Sequence, residues 1–282
     1  MSDVTRMSAG TTGVSPGLDV DVVIVAHNAG PLLEPAVASA AREAGEDRVV
    51  VVDAASTDGA VTGVALAHPR ITSISAANGG FAASNNIGIV AKRGRWVLLL
   101  NPDAELKPGA LAALVAYANS HPRAAVVGAK ILNADGTLQA MSFGKFPSLP
   151  QVIGLRLWRG WQRLRGNEGL NPRDFSQPKR VDWTTGAAML VRRVAIEDAG
   201  VMDAGFFLYY EDVEWCHRIR DRGWDVVIEP KAEAVHHLGR SDAPSDFILN
   251  AYRESFYRYC DEYGLWGLRL AARVGLSLRF RP

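Results

Sequence analysis

Two aspartates directly follow runs of apolar residues that are typical of buried strands. Asp53 comes after the run Arg48–Val52, and Asp103 follows Trp96–Leu100 in the tripeptide Asn-Pro-Asp. Because proline cannot donate a ladder hydrogen bond, Pro102 ends the strand and leaves Asp103 beyond the sheet. Two carboxylates at strand ends beside glycine-rich loops indicate a phosphorylated ligand held through a metal ion. The alternative is that Asn-Pro-Asp is only a polar turn.

The loop "DAASTDG" after the second run carries side chains suited to the start of a helix. Ser56, Thr57 and Asp58 can cap a helix N-terminus, and its backbone N–H groups can receive an anion. The loop therefore predicts an anion site beside the two strand-end carboxylates.

Two adjacent acids, Glu211 and Asp212, and two adjacent histidines, His236 and His237, carry further chemistry. One of the acids can serve as a general base, although acids also favour the first turn of a helix through its dipole. A histidine beside Asp103 would favour Mn²⁺ over Mg²⁺, although a lone histidine is more often structural. Both alternatives stay open on the residues alone.

Three aliphatic runs predict the elements that position these side chains: Val20–Ala26, Arg48–Val52 and Trp96–Leu100. Helical segments separate the runs, which predicts an α/β fold with a parallel sheet covered on both faces. The polar loops beside the strand ends are His27–Pro31, Asp53–Gly59, Asn78–Asn86 and Asn101–Asp103. Doubly wound sheets bind ligands at this carboxyl edge, so we expect a cleft there.

Composition and charge indicate the kind of partner and the cellular compartment of the protein. A formal net charge of +1 over 282 residues gives no argument for a nucleic-acid partner. Cys216 and Cys260 lack the spacing of a metal site, which suits a reducing compartment. No apolar run approaches the roughly 18 residues of a membrane span, and Met1–Gly17 lacks the core of a signal peptide. We expect a cytoplasmic chain with a disordered tail over residues 1–18.

Two amphipathic segments carry aromatic and arginine residues. The first, "QVIGLRLWRGWQRLRG", places Ile153, Leu157, Trp161 and Leu164 on one helical stripe and Arg156, Arg159 and Arg163 on the other side. The second runs from Phe247 to the end and includes Arg269, Arg273, Arg279 and Arg281. Such segments either lie in a membrane interface or pack on their own domain. Together they favour peripheral association with the cytoplasmic face of the plasma membrane.

Six blocks resemble, in order, those of family-2 glycosyltransferases, inverting enzymes of the GT-A fold. They are "VVIVAHNAGPLLEPAVAS", "VVVVDAASTDGA", "NGGFAASNNIGI", "WVLLLNPDAEL", "TTGAAMLVRR", and "FFLYYEDVEWCHRIRDRGWDV" with "AVHHLGRS". The likeness is greatest to bacterial rhamnosyltransferases and extends from Asp19 to Ser241. It implies a GT-A domain over residues 19–245, with a nucleotide-sugar half (19–132) and an acceptor half (133–245). Residues 246–282 would form a C-terminal amphipathic helical segment.

The resemblance implies a donor site at the sheet edge. Its residues would be Ala26, His27, Asn28, Asp53, Ser56, Asp58, Asn78, Gly80, Phe81, Asn86, Asn101 and Asp103. Asp53 would accept a hydrogen bond from the pyrimidine base. The sequence departs from the family pattern at Ala54, where asparagine is commoner, and at Ser84, where glycine is usual.

The resemblance also assigns the metal, the base and the acceptor side. Asn101 and Asp103 resemble the metal-binding DxD motif, with Mn²⁺ or Mg²⁺ as the ion and His236 or His237 completing the site. Asp212 would be the base, and Glu211 would bind the acceptor or orient the loop. The acceptor-side residues would be Trp183, Thr184 and Gly186.

The resemblance thus implies a metal-dependent inverting hexosyltransferase of cell-envelope polysaccharide synthesis. Its donor would be a dTDP- or UDP-sugar, with rhamnose expected, and its acceptor a glycan or a polyprenyl-diphosphate-linked sugar. A nucleotidyltransferase or a dehydrogenase is the first alternative. No GxGxxG follows the first strand, however, and no glycine-rich loop bearing Lys or Arg follows it either. A catalytically silent sugar-nucleotide-binding protein is the second alternative, against which Asp53, Asp103 and Asp212 are all present.

Overall fold

A mixed β-sheet lies at the centre of the computed structural model, which describes residues 18–139, 141–148, 176–238 and 245–273. The strands are β1 (Val20–Ala26), β2 (Val49–Ala54), β3 (Thr72–Ala76), β4 (Trp96–Leu100), β5 (Ala104–Leu106), β6 (Ala124–Leu132), β7 (Phe143–Gly144), β8 (Lys179–Val181), β9 (Trp183–Thr184), β10 (Ala188–Arg192) and β11 (Asp225–His236). The helices are α1 (Leu33–Ala44), α2 (Ala60–Ala67), α3 (Phe81–Ala91), α4 (Ala110–Ser120), α5 (Arg193–Ala199), α6 (Glu211–Asp221), α7 (Ser245–Glu262) and α8 (Trp266–Arg273).

The main sheet has the strand order β3-β2-β1-β4-β10-β6-β11-β5, and β8 pairs with a different stretch of β11. The parallel pairing expected of the three aliphatic runs is confirmed, since β1 lies between β2 and β4 and runs parallel to both. Strand β10 then runs antiparallel between β4 and β6. Strands β7 and β9 form a separate small ladder.

Helices cover both faces of the sheet, as near-continuous aliphatic strands require. On one face, Leu33 of α1 and Leu111 of α4 pack with side chains of β1 and β4. On the other face, Ile196 of α5 and Trp215 of α6 do so. All residues of β1 and β4 are buried, so the sheet is a rigid platform for the loops that follow its strands.

The two C-terminal helices pack on the domain through an aromatic cluster. Phe256 and Tyr259 of α7 and Leu268 of α8 are buried against Phe206 and Tyr210, which precede α6. The predicted C-terminal amphipathic helices are therefore present. Within the ranges given above, no helix is both long and apolar enough to cross a bilayer.

Three expectations lie outside the described residues. They concern the tail before residue 18, the amphipathic segment over residues 151–166, and the arginines at positions 279 and 281.

Candidate active site

The strands that carry the predicted donor residues end at one edge of the sheet. In register, Ala26 of β1 lies opposite Asp53 of β2, and Ile24 lies opposite Leu100 of β4. The loops that follow these three strands therefore meet, which is the arrangement expected of a cleft at the carboxyl edge.

Hydrogen bonds tie the loops after β1 and β2 to each other. The N–H of Asn28 donates to Ser56 Oγ at 3.1 Å, and the N–H of Thr57 donates to Asn28 Oδ1 at 2.8 Å. The N–H of Gly30 donates to Asp58 Oδ2 at 2.8 Å, a bond that lowers the pKa of this carboxyl. Ser56, Asp58 and Asn28 thus fix the loop pair.

The start of α2 differs from the sequence expectation. Of the three residues predicted to cap this helix, Asp58 bonds to its start, since its Oδ1 accepts from the N–H of Ala60 at 3.1 Å. The prediction is wrong for Ser56 and Thr57. Both residues bind the loop after β1 instead. Asp53 Oδ1 accepts from the N–H of Ser56 at 2.8 Å, and the exposed His27 ring bonds through Nδ1 with the carbonyl oxygen of Ala54 at 2.7 Å.

The start of α3 requires a glycine. Gly80 has φ of +93°, and its N–H donates to Asn78 Oδ1 at 3.1 Å. A Cβ at this position would lie 2.4 Å from the carbonyl oxygen of Phe207. The N–H of Phe81 donates to that same oxygen at 2.8 Å. The Asn78–Phe81 turn is thereby joined to the segment that precedes the acid pair.

Asn86, about one helical turn after Phe81, also connects α3 with a distant segment of the chain. Its Oδ1 accepts from the N–H of Met202 at 3.0 Å, and its Nδ2 donates to the Met202 carbonyl at 2.8 Å. The amide of Asn86 thus holds the chain on the way from α5 to α6. Its place among the donor residues stays a prediction.

Asn101, Asp103 and His236 come together at the end of β4. His236 Nε2 lies 3.1 Å from Asp103 Oδ1 and 3.2 Å from Asn101 Nδ2. The other ring nitrogen, Nδ1, bonds with Gln139 Oε1 at 2.8 Å. Such a partner orients a ligating imidazole and fixes its tautomer.

The neighbouring histidine has a different partner. His237 Nε2 lies 2.7 Å from Glu105 Oε1, while its backbone N–H donates to the carbonyl of Asp103 at 2.9 Å. Of the two adjacent histidines, His236 is therefore the one whose ring faces Asp103.

The side chains of Asn101, Asp103 and His236 fit a hard divalent cation. Asn101 Oδ1 is buried and has no hydrogen-bond partner, beside the carboxylate of Asp103 and the imidazole of His236. Oxygen ligands with one imidazole suit Mn²⁺ or Mg²⁺. Across the described ranges, no three His, Cys, Asp or Glu side chains group as metal ligands. Asn101, Asp103 and His236 thus form a partial ligand set.

The acid pair at the start of α6 is held in two different environments. Glu211 is 5% exposed and its Oε2 lacks a hydrogen-bond partner. Burial, and then the charge of Asp212, raise the pKa of Glu211 well above its ordinary value. Burial raises the pKa of Asp212 to about 6, although N–H groups of Gly186 and Val213 donate to its carboxylate at 3.2 and 2.8 Å.

The two-residue stretch Gly186–Ala187 connects the acid pair with the Asp103 cluster. The N–H of Gly186 donates to Asp212, and the carbonyl of Ala187 accepts from the N–H of Asn101 at 3.1 Å. Gly186 also lies against the Phe81 ring, which a Cβ would approach to 3.1 Å. Asp212, Asn101 and the Phe81 ring therefore all lie against the Gly186–Ala187 stretch.

The remaining acceptor-side residues lie at different depths. Trp183 is half-buried, and its Nε1 donates to the carbonyl of Lys145 at 3.1 Å. Thr184 is 1% exposed and packs against Gly128 beneath the sheet. Thr184 is thus buried within the fold. The acceptor role of Trp183 and Thr184 stays a prediction.

Sequence reasoning missed three features of this site. Gln139 orients His236, Thr185 bonds to Asp212, and Tyr209 and Tyr210 both have left-handed φ values, +68° and +64°. No local pattern signals Gln139. Tyr210 is the N-cap residue of α6, and non-glycine residues with left-handed φ values cluster at functional sites.

Comparison with known proteins identifies the family of this chain. The family model described as glycosyl transferase family 2 matches residues 21–196. The N-acetylglucosaminyl-diphospho-decaprenol L-rhamnosyltransferase of Mycobacterium tuberculosis (strain ATCC 25618 / H37Rv) is 30% identical over 92% of this chain and 90% of its own. Rhamnosyltransferase WbbL of Escherichia coli (strain K12) is 26% identical over 64% of this chain and 69% of its own.

Two solved structures share the fold. GalNAc-T7, crystallised with UDP, GalNAc and Mn²⁺, superposes with a TM-score of 0.60 at 18% identity over 86% of this chain and 47% of its own. S. aureus TarS gives a TM-score of 0.57 at 16% identity over 93% of this chain and 46% of its own. These likenesses confirm the GT-A fold class. With the family match over more than half its length, the chain belongs to glycosyl transferase family 2 and is a glycosyltransferase.

Proposed function

We propose that the protein transfers rhamnose from a dTDP- or UDP-activated donor to a hydroxyl of a lipid-linked sugar in cell-envelope polysaccharide synthesis, with inversion at the anomeric carbon. The observation that carries the proposal is the Gly186–Ala187 peptide, which connects Asp212 with the Asn101–Asp103–His236 cluster. The name of the mycobacterial relative, which specifies both rhamnose and a diphospho-decaprenol acceptor, supports the choice of substrates.

The acid pair supplies the base of the reaction. Two adjacent buried carboxyls do not both ionise easily, and Glu211, with its unpartnered oxygen, keeps the proton. Asp212 is then ionised near neutral pH and accepts the proton of the acceptor hydroxyl as that oxygen attacks the anomeric carbon. The bond from this carbon to the diphosphate breaks on the opposite side, so a single displacement inverts the configuration.

Asn101, Asp103 and His236 are the residues that would hold Mn²⁺ or Mg²⁺ with the diphosphate. A divalent ion there supplies positive charge that stabilises the departing nucleoside diphosphate. Asp53 and the backbone of residues 26–28 would receive the nucleoside, since their loops meet at the same edge.

We also propose that the protein acts at a membrane surface. On α8, Leu268 and Ala271 are buried, whereas Trp266 and Leu270 are 68% and 61% exposed. The helix thus packs on the domain with one side and presents a tryptophan and a leucine with the other. Such residues suit insertion at the boundary between headgroups and acyl chains.

The test of the function is transfer from dTDP-rhamnose or UDP-sugars to a short-chain N-acetylglucosaminyl-diphospho-lipid, followed by mass spectrometry. A thermal-shift panel of dTDP, UDP, GDP and ADP, each with and without Mn²⁺, selects the donor class first, because a ligand that binds only the native state raises its stability. A Mn²⁺-dependent shift with dTDP or UDP, together with a product heavier by one deoxyhexose, is the expected result. A folded protein that gives neither contradicts the proposal.

A further inference from the structure

A surface groove lies between the segment 205–207 and helix α7. Its volume is about 560 Å³, within the range of small-molecule sites. The lining includes Phe207, Phe247, Asn250, Glu254, Ser255 and Arg258.

The groove combines an aromatic wall with polar groups. Phe207 and Phe247 are 40% and 46% exposed, and their rings meet edge to face with centroids 6.0 Å apart. Asn250 and Glu254 are exposed along the same side of α7. A pyranose has an apolar C–H face that packs on an aromatic ring and equatorial hydroxyls that bond to amide and carboxylate groups.

The charges of the lining favour a neutral ligand. Arg258 forms ion pairs with Asp203 at 2.6 Å and with Glu262 at 3.0 Å. Glu254 is the other charged lining residue. The guanidinium is thus already matched by carboxylates, and a phosphate would meet a carboxylate in the groove instead of an unmatched cation. A neutral sugar fits these charges better than a diphosphate.

The groove lies beside the segment that precedes the acid pair. The carbonyl of Phe207 accepts from the N–H of Phe81, whose ring touches Gly186. On α7, the ring of Tyr252 lies 5.6 Å from that of Tyr209 and 5.4 Å from that of Tyr210, the two residues before Glu211. Tyr252 comes directly after Ala251, which lines the groove. Burial, and to a smaller extent the charge of Asp212, raise the pKa of Tyr252 to about 12.

We propose that this groove is the subsite for the acceptor's sugar, which stacks on Phe247 and Phe207 and bonds to Asn250 and Glu254. The inference rests on the proposed function, because it assumes that the attacking hydroxyl belongs to a sugar. It assigns recognition of the acceptor to α7, a helix outside the residues 21–196 that the family model matches.

The experiment measures binding of octyl β-N-acetylglucosaminide, a neutral one-sugar probe, by saturation-transfer NMR in the presence of UDP and Mn²⁺. We expect Phe247→Ala and Asn250→Ala to weaken binding about 5–10-fold, the loss typical of one ring or polar contact. The matched control is Leu249→Ala, since Leu249 is 50% exposed on the same helix but does not line the groove. It should bind like the wild type.

The possible outcomes separate the subsite from the proposed function. Unchanged binding in both groove variants, or no binding by the wild type, overturns the subsite. In the transfer assay, an unchanged acceptor KM for Phe247→Ala also overturns it. If the wild type binds the probe through the groove but transfers no sugar, the subsite stands and the proposed function fails.

Discussion

At the scale of single residues, the two adjacent carboxyls of α6 have unequal surroundings. Glu211 has a buried oxygen without a partner, whereas Asp212 accepts N–H groups from Gly186 and Val213. Hydrogen bonds to a carboxylate favour its ionised form, and an unpartnered buried oxygen favours the protonated form. These contacts support the proposed roles, in which Glu211 keeps its proton and Asp212 accepts one from the acceptor hydroxyl.

Asp212→Asn removes the proton acceptor and keeps the shape of the side chain. We expect the transfer rate to fall about 10²–10⁴-fold, the usual contribution of a general base. The Mn²⁺-dependent thermal shift with dTDP or UDP should remain, because the residues proposed to bind the nucleoside follow β1 and β2, whereas Asp212 begins α6 with Glu211. A variant that still turns over at the wild-type rate would remove Asp212 from the mechanism.

The acid pair also predicts the pH profile. Because burial raises the pKa of Asp212 to about 6 and the base must be ionised, kcat/KM should fall as pH drops below 6 and level off above about 7. The slope should approach tenfold per pH unit. The measurement is kcat/KM from pH 5 to 8.5 with a neutral acceptor analogue. A flat profile over this interval contradicts the assignment.

The two histidines provide a matched pair of variants. His236→Ala removes an imidazole 3.1 Å from Asp103, whereas His237→Ala removes one that is paired with Glu105. We expect the first to weaken Mn²⁺-dependent nucleotide binding about tenfold or more and the second to change it less than about threefold. Isothermal titration of dTDP or UDP at fixed Mn²⁺ measures both. Equal losses would show that the ring of His236 is not the ligand.

Part of this site could be predicted from the sequence. Asp103 follows a proline that ends an apolar run, and the resemblance to family 2 singles out Asp212. The choice between His236 and His237 could not be made, because adjacent strand residues point to opposite faces and only the pairing of β11 with β5 decides which one faces Asp103. Gln139 was also unpredictable, since 97 positions separate it from His236.

At the scale of elements, the turn before α3 depends on Gly80. Gly80→Ala places a Cβ 2.4 Å from the Phe207 carbonyl and forces an alanine to φ of +93°. Gly59→Ala is the control, because that residue has φ of +74° but open space around it. We expect the control to lower the free energy of unfolding by about 1 kcal/mol and Gly80→Ala to lower it by at least about 2 kcal/mol. Urea denaturation measures both, and equal losses would contradict the predicted clash.

The strands β1, β2 and β4 were predictable from their aliphatic runs. The placement of β10 was not, because its five residues follow directly on the Gly186–Ala187 turn and carry no sign of strand direction. Its antiparallel course between β4 and β6 is set by long-range pairing. The sequence therefore predicted the parallel part of the sheet better than its antiparallel part.

At the scale of the whole molecule, membrane binding is tested best by point variants. Deleting the chain after Phe247 would remove Phe256 and Tyr259 and expose Phe206 and Tyr210, on which α7 packs. The double variant Trp266→Ser with Leu270→Ser instead changes exposed side chains of α8. We expect its partitioning into anionic liposomes to fall about tenfold or more, because two large apolar groups no longer insert.

The control for membrane binding is Leu66→Ser. Leu66 is an exposed leucine of α2, 79% accessible, and lies far from α8 in sequence. Sedimentation with liposomes should show wild-type binding for this variant. Wild-type binding by the double variant as well would place the membrane contact elsewhere.

The position of β10 has a consequence for biosynthesis. Strands β4 and β6 are synthesised before residues 188–192, which form the strand between them. Until then, the edge of each strand that pairs with β10 has unpaired N–H and C=O groups. At ordinary translation speeds this interval lasts a few seconds. Nascent chains that stall after β6 are thus candidates for chaperone capture and aggregation, and slower induction at low temperature should raise the soluble yield of the recombinant protein.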